Sequence, residues 1–468
     1  MGLVGLVSAA VPATAAAARV PRLVVGELRL QPCPDLDATW CGSIERLLDA
    51  TNPSLGTIDI HFEWLPATGR STGTVVAVEG GPGYATTLSR DSYIDLFEPL
   101  LAHRDLLLVD NRGTGQSGAI DCPALQSGEG EYVANVGACG AQLGATAWAY
   151  GTADAADDVA AVIEQLRVDP VDLYGDSYGT YFGQVFTVRH PDLLRSVVLD
   201  AAYPVQADDY LYVTAGPTAN HAMAVSCERS PECAALPTTA DQRLRALLDI
   251  VRASPITGTG FDADGNEHDI VIDAPELIDM TRSAAYGYGV YRELDPAIRA
   301  FLDDGDAVPL LRISAEQGVV GVSDPAEFSD GLYAAVSCID YPQPFDLTQP
   351  LPVRLEQLEA NLADDQATTP DVFAPFTIDE YGGADWQELD SCLGWPEPPA
   401  GRQPASAIVP GTPYPDVPTL VLSGELDSLT TPDEGAQVAG RFPSVTHVIV
   451  ANEFHVSALA DRYGCAAA

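Results

Sequence analysis

Residues 171–188 impose the tightest constraint on the fold. Val171-Asp172-Leu173-Tyr174 is an apolar run of buried-strand length, Gly175-Asp176-Ser177-Tyr178-Gly179 follows at once, and a helical pattern continues through Val188. A strand that turns into a helix within so few residues needs small side chains on both sides of the bend, which Gly175 and Gly179 supply. The bare GxSxG pattern is weak, and the strand before it and helix after it give it weight. Such a bend lifts Ser177 above the carboxyl edge of a sheet, where a serine hydroxyl can be activated as a nucleophile.

The flanking sequence fits an α/β core with a mostly parallel sheet flanked by helices. Strands are expected at Thr57 to Trp64, Thr74 to Val78, Asp105 to Val109, Val171 to Tyr174 and Ser196 to Leu199. A helix from Ala153 to Leu166, capped by Thr152, stacks Val159, Val162, Ile163 and Leu166 on one face. From about residue 206 to 400 strand signals thin out, and helical segments (Asp241 to Val251, Pro296 to Asp303, Val353 to Ala363) read as an inserted, mainly helical cap. A Pro-rich linker, Pro396 to Pro418, then returns the chain to strands Thr419 to Ser423 and His447 to Val450. The expected organisation is a leader at 1–18, a disulfide-containing segment at 19–54, core at 55–205, cap at 206–400 and the rest of the core at 401–468.

A serine nucleophile needs a base, and the base an orienting acid. Both are expected at the carboxyl ends of strands after the cap. Asp427 follows the strand Thr419 to Ser423, with Glu425 as its competitor, and His455 follows the strand that His447 begins. His447 reads as structural. Donors for a developing oxyanion are expected from the N–H of Gly81, in Glu79-Gly80-Gly81-Pro82-Gly83 directly after a strand, and from the N–H of Tyr178. Glu79 borders that loop and is a candidate for binding a substrate amine. The turn Asp110 to Gly118 has three glycines but lacks the lysine and acidic ribose partner of a nucleotide loop.

Composition removes several function classes. There are 67 acidic and 23 basic residues, a formal charge of -44, which disfavours nucleic acid and anionic lipid. All 23 basic residues are arginine, which excludes Schiff-base chemistry and every lysine-dependent nucleophile. The nine cysteines form no CxxC, and there is no HExxH, so no metal or other cofactor is expected. They read instead as sequential disulfides (Cys33 with Cys41, Cys122 with Cys139, Cys227 with Cys233, Cys338 with Cys392), with Cys465 left over. The aliphatic run Leu3 to Val11, followed by Ala13-Thr14-Ala15-Ala16-Ala17-Ala18, resembles a cleavable leader without the usual basic start, and no later run is long enough to anchor the chain in a membrane. A secreted or extracytoplasmic protein is expected.

The segments Glu79 to Gly83, Asp110 to Gly118, Leu173 to Gln184 and Gly424 to Pro432 together resemble the secreted tripeptidyl and prolyl aminopeptidase branch of the α/β-hydrolases. The most specific stretch is Tyr174-Gly175-Asp176-Ser177-Tyr178-Gly179-Thr180-Tyr181-Phe182-Gly183-Gln184, with Cys338-Ile339-Asp340 and Cys392-Leu393-Gly394-Trp395-Pro396 as supporting marks. The resemblance, over about residues 33 to 465, implies an α/β-hydrolase fold and a cofactor-free Ser, Asp, His triad at Ser177, Asp427 and His455. It implies action on short peptides with a free N-terminus. Glu79 and Phe454 depart from the usual pattern, and relatives usually continue through another helix to a further cysteine, which would leave Cys465 without its partner. A carboxylesterase or amidase with the same triad is the enzymatic alternative, and a non-catalytic binding protein on the same scaffold is the alternative of a different class. Residues 206–400 hold 35 acidic residues against 9 arginines, a net of -26, so an acidic lid is expected to favour a cationic peptide end.

Overall fold

The computed structural model describes residues 22–460 except 35, 206–209, 287, 318–322, 385–388, 403 and 405–406. The expected leader and Cys465 lie outside the described residues.

Ten strands form one sheet in the order β1-β2-β3-β4-β6-β5-β7-β8-β11-β12. They are β1 (Leu23–Val25), β2 (Leu28–Pro32), β3 (Trp40–Leu47), β4 (Thr57–Leu65), β5 (Thr74–Val78), β6 (Asp105–Val109), β7 (Val171–Asp176), β8 (Leu194–Asp200), β11 (Thr419–Gly424) and β12 (Val445–Val450). From β6 to β12 all neighbours are parallel. Such strands are covered on both faces and therefore read as unbroken apolar runs rather than alternations. β5, Thr-Val-Val-Ala-Val, is buried along its whole length. The chain goes from β5 to β6 on one side and later to β7 on the other, so the order reverses at β5. Crevices at such a reversal, outside the carboxyl ends of the strands, are where α/β sheets hold ligands.

The sheet begins earlier than the expected core. β1 to β3 add antiparallel strands, and β3 pairs with β4 from Trp40↔Trp64 to Leu47↔Thr57. The disulfide-containing segment is thus an extension of the sheet, signalled by the alternation in Trp40–Leu47. A second correction concerns Thr152. It is the first residue of the helix Thr152–Leu166, whose N-cap is Gly151. The Thr152 hydroxyl turns inward to Asp340 Oδ2 (2.6 Å) and Tyr178 Oη (2.8 Å) instead of capping.

The inserted region holds helices at Ala240–Ala253, Tyr288–Asp304 and Leu351–Thr368 and also a hairpin, β9 (Ile256–Phe261) with β10 (Glu267–Ile272), which its polar, glycine-broken sequence did not suggest. The helix expected to start at Pro296 starts at Tyr288, because Tyr291, Leu294, Ala297 and Ile298 make one buried face across the proline. The insertion is also divided in its packing. One part has its own core, joined by Leu426 and Phe454 from the sheet side. The helix Asp330–Asp340 and the turn around Cys392–Trp395 instead pack into the main core, through Leu332, Val336, Cys338, Leu393 and Trp395. Cys338–Cys392 joins these two pieces, and Cys33–Cys41, Cys122–Cys139 and Cys227–Cys233 are also bonded, in the expected sequential order.

Candidate active site

The turn after β7 has the sharpness its sequence implies. Ser177 has φ 50° and ψ -118°, a conformation that a non-glycine residue holds only under constraint from its surroundings. A Cβ on Gly175 would stand 2.1 Å from Gly179 O, and one on Gly179 would stand 2.2 Å from Val78 O. Only glycine lets the strand, the bend and the helix Tyr178–Arg189 pass this closely, and the second contact presses that helix onto the end of β5.

Three expected residues from distant parts of the chain converge on this bend. His455 Nε2 is 2.9 Å from Ser177 Oγ, and His455 Nδ1 is 2.9 Å from Asp427 Oδ2. Asp427 is fully buried, and its other oxygen accepts from the N–H groups of Leu429 (2.9 Å) and Thr430 (3.0 Å). An ionised carboxylate only accepts, so Nδ1 carries the imidazole proton and Nε2 is left to accept from Ser177. The competing Glu425 points away and is paired with Arg229 at 2.8 Å. His447 bonds Ser423 Oγ at 3.1 Å across β11 and β12, with burial lowering its basicity, and takes no part in this group.

The loop after β5 reaches the same point. A Cβ on Gly80 would touch the Cβ of Ser177 at 3.0 Å, and Gly81 lines the cleft beside Ser177 and His455. Tyr178 opens the helix that follows the bend. Glu79 does not line the cleft. Its carboxylate accepts from Gly80 N–H (3.1 Å) and from Tyr93 Oη–H (3.0 Å), behind Ser177.

The cleft above Ser177 has a volume of about 220 Å³. Its walls come mostly from the insertion and are rich in tyrosine, with Tyr286 set edge-on to the His455 ring at 5.6 Å between centroids. The acidic lid is not what faces the cavity. Among the described residues that line it, the one carboxylate is Glu434, on the helix Pro432–Ala439 of the core, and the one arginine is Arg282. Glu434 accepts from Thr431 N–H at 2.8 Å, and burial, above all, pushes its carboxyl up to about 8.

Other residues missed by the sequence reading hold the group in place. Thr430 Oγ1 donates to Asp427 Oδ2 and contacts His455 Nδ1, and the Thr431-x-x-Glu434 capping box fixes the turn that carries it. The spacing of that box was a readable signal. Asp200, at the end of β8, accepts from the N–H groups of Ser457 (3.1 Å) and Ala458 (2.6 Å), while its carbonyl accepts from Ser177 N–H (2.9 Å). It therefore ties the His455 loop to the nucleophile turn. Phe454, one of the departures, stacks on Tyr291 of the insertion at 5.8 Å, and His455 N–H donates to Ala285 O, so the insertion holds this loop from above. The turn Asp110 to Gly118 is internal scaffolding. Arg112 grips Asp158 through two bonds of 2.8 and 2.9 Å, and Asp110 accepts from Thr87 and Gln116.

The family described as alpha/beta hydrolase fold matches residues 73–220, which contain the Glu79 loop, the Ser177 bend and the Asp200 tie. The family described as TAP-like protein matches residues 379–468, which contain Asp427 and His455. The chain belongs to the α/β-hydrolases, in their TAP-like branch. This TAP-like hydrolase is 25% identical to serine protease Hip1 of Mycobacterium tuberculosis over 464 residues, spanning 90% of this chain and 84% of Hip1. It is 26% identical over 139 residues to a Mycoplasma pneumoniae protein named as a proline iminopeptidase, covering 30% of this chain and 36% of that protein. Among solved structures, proline iminopeptidase of Mycobacterium smegmatis gives a TM-score of 0.36 at 14% identity, over 88% of this chain and 91% of the other, a likeness that carries no argument about function. No helix among the described residues is long and apolar enough to cross a membrane.

Proposed function

We propose that this hydrolase is an exported serine peptidase that removes residues or short peptides from free N-termini. The observation that carries the reading is His455 bridging Ser177 and Asp427 at 2.9 Å on each side, at the floor of a small cleft. Ser177 Oγ attacks the scissile carbonyl carbon as its proton passes to His455 Nε2, and Asp427 stabilises the imidazolium. The carbonyl oxygen gains the negative charge within reach of the N–H groups of Gly81 and Tyr178. Collapse of the adduct breaks the C–N bond, and His455 returns the proton to the leaving amine. Water, deprotonated by His455, then releases the acyl group and restores Ser177.

Three observations support the finer reading. A cavity of about 220 Å³ is smaller than the pockets that enclose drug-sized ligands, which suits the end of a chain better than a chain passing through. Glu434, whose carboxyl burial keeps mostly protonated at neutral pH, is drawn into its ionised form by an ammonium placed beside it, and the surrounding excess of negative charge favours a cationic substrate end. The relatives are named as a serine protease and a proline iminopeptidase. Export rests on the four disulfides and on the leader-like sequence of residues 1–18. The test is mass spectrometry after treatment with a serine-directed phosphonate. One adduct on the peptide containing Ser177, absent from Ser177→Ala, is expected, and an adduct elsewhere overturns the assignment.

A further inference from the structure

The two backbone segments assigned to the oxyanion begin with an acid each. Glu79 precedes Gly80-Gly81, and Asp176 precedes Ser177-Tyr178. Between them stands Tyr93, fully buried, on the helix Arg90–Phe97. Its phenol oxygen is 2.7 Å from Asp176 Oδ1 and 3.0 Å from Glu79 Oε2.

These distances do not fit the protons available from ionised side chains. A phenol has one proton to donate, and two ionised carboxylates can only accept. With both acids charged, one of the two short contacts sets lone pair against lone pair, between like charges that burial strengthens. One added proton resolves the conflict: Asp176 donates to Tyr93 Oη, and Tyr93 donates to Glu79. Asp176 is the buried member, and burial first, then the charge of Glu79, holds its carboxyl well above the usual range. The other groups acting on this cluster are Asp200 at the end of β8, Tyr174 on β7 and Tyr84 on the loop after β5. Asp200 in turn faces His455, which can become cationic.

We propose that Glu79, Tyr93 and Asp176 are positioning residues that clamp the two oxyanion-donor segments together through one proton held on Asp176, and that loss of this proton sets an alkaline limit on acylation of Ser177. The inference rests on the reading of Ser177 as the nucleophile. It also gives Glu79 a role other than binding the substrate amine.

The charge count provides the test. In Asp176→Asn the amide donates to Tyr93 at any pH. In Glu79→Gln the amide donates to Tyr93, which donates to an ionised Asp176. Either variant satisfies the contacts without a titratable proton, whereas a purely structural role would leave the pH profile in place. The rate of phosphonate labelling of Ser177 is measured from about pH 6 to about pH 10, with a reagent lacking an amine so that substrate titration does not contribute. The wild-type rate is expected to fall on the alkaline side, and both variants are expected to move that fall up by about one pH unit or more. Tyr93→Phe is expected to slow labelling roughly tenfold to a hundredfold. An alkaline fall that is missing in the wild type, or unmoved in the variants, overturns the proposal. An infrared difference spectrum between wild type and Asp176→Asn at neutral pH reads the proton directly, whether or not the protein labels. A protonated-carboxyl band lost in the variant supports the clamp, and loss of an ionised-carboxylate band in its place overturns it.

Discussion

Thr430 Oγ1 lies 3.0 Å from His455 Nδ1 and 2.8 Å from Asp427 Oδ2, the same carboxylate oxygen that holds that imidazole. The hydroxyl donates to the carboxylate and leaves a lone pair facing Nδ1–H, so it fixes both partners without taking the imidazole proton. Thr430→Val keeps the shape and removes the hydroxyl. Losing a hydrogen bond to a buried charged group costs about 1–3 kcal/mol, so kcat is expected to fall roughly fivefold to a hundredfold with little change in KM. Steady-state kinetics check this, and an unchanged kcat would show that Asp427 needs no such support.

His447 lies within β12 and His455 follows it, but the two face different chemistry. His455→Ala is expected to lower kcat by several orders of magnitude while leaving thermal stability close to wild type. His447→Ala removes only the bond to Ser423 and should cost about 1 kcal/mol of stability with activity retained. Parallel melting and rate measurements separate the two, and the reverse ordering would move the base to His447.

The legibility of this chain in its sequence followed local pattern. The runs that became β5 and β6 were readable to the residue because burial on both faces makes a strand continuously apolar. The convergence of Ser177, Asp427 and His455 was readable because each follows a strand of recognisable pattern, and chain order supplied the rest. Thr152 was misread as a cap because its partners, Asp340 and Tyr178, lie 188 and 26 residues away. Glu79 was misread as facing substrate for the same reason, since Asp176 becomes its neighbour only through the β5–β7 pairing and Tyr93 reaches it from the helix Arg90–Phe97. The acidity of the insertion was plain in composition, but which carboxylate faces the cleft depends on tertiary packing and fell to Glu434 of the core.

Stability should fall as pH rises through neutrality. Burial raises the folded-state value of Glu434 to about 8 and those of Asp200 and Asp340 to about 6. Groups raised in the folded state contribute stability that is fully present below their unfolded values, near 4, and lost as pH climbs through 6 and 8. The melting temperature is expected to be a few degrees lower at about pH 8 than at about pH 6. Glu434→Gln should flatten that slope, because the amide resembles the protonated acid. An equal slope in wild type and variant would place the titrating groups elsewhere.

Cys338–Cys392 closes a loop of 54 residues between two pieces of the insertion that pack in the main core. Closing a loop of this length contributes roughly 4 kcal/mol in the chain-entropy account. The double variant Cys338→Ser, Cys392→Ser is expected to unfold at clearly lower denaturant, by about 2–4 kcal/mol, whereas removing Cys227–Cys233, which closes 6 residues, should cost less. Urea titrations of the two variants decide the order.

The central claim, a peptidase acting on free N-termini, is tested most directly by comparing kcat/KM for one di- or tripeptidyl amide with a free or an acetylated amine. Acetylation removes the ammonium that draws Glu434 into its ionised form and with it a charge-assisted contact, a loss of roughly 2–5 kcal/mol by analogy with desolvated ion pairs. The free form is expected to be cleaved about thirtyfold to several thousandfold faster at neutral pH. The advantage should shrink as the α-amine, with an unperturbed pKa of about 8, loses its proton. Ser177→Ala should abolish both rates. Equal rates on the two forms, or activity confined to p-nitrophenyl esters, would contradict the account and place the protein among the carboxylesterases.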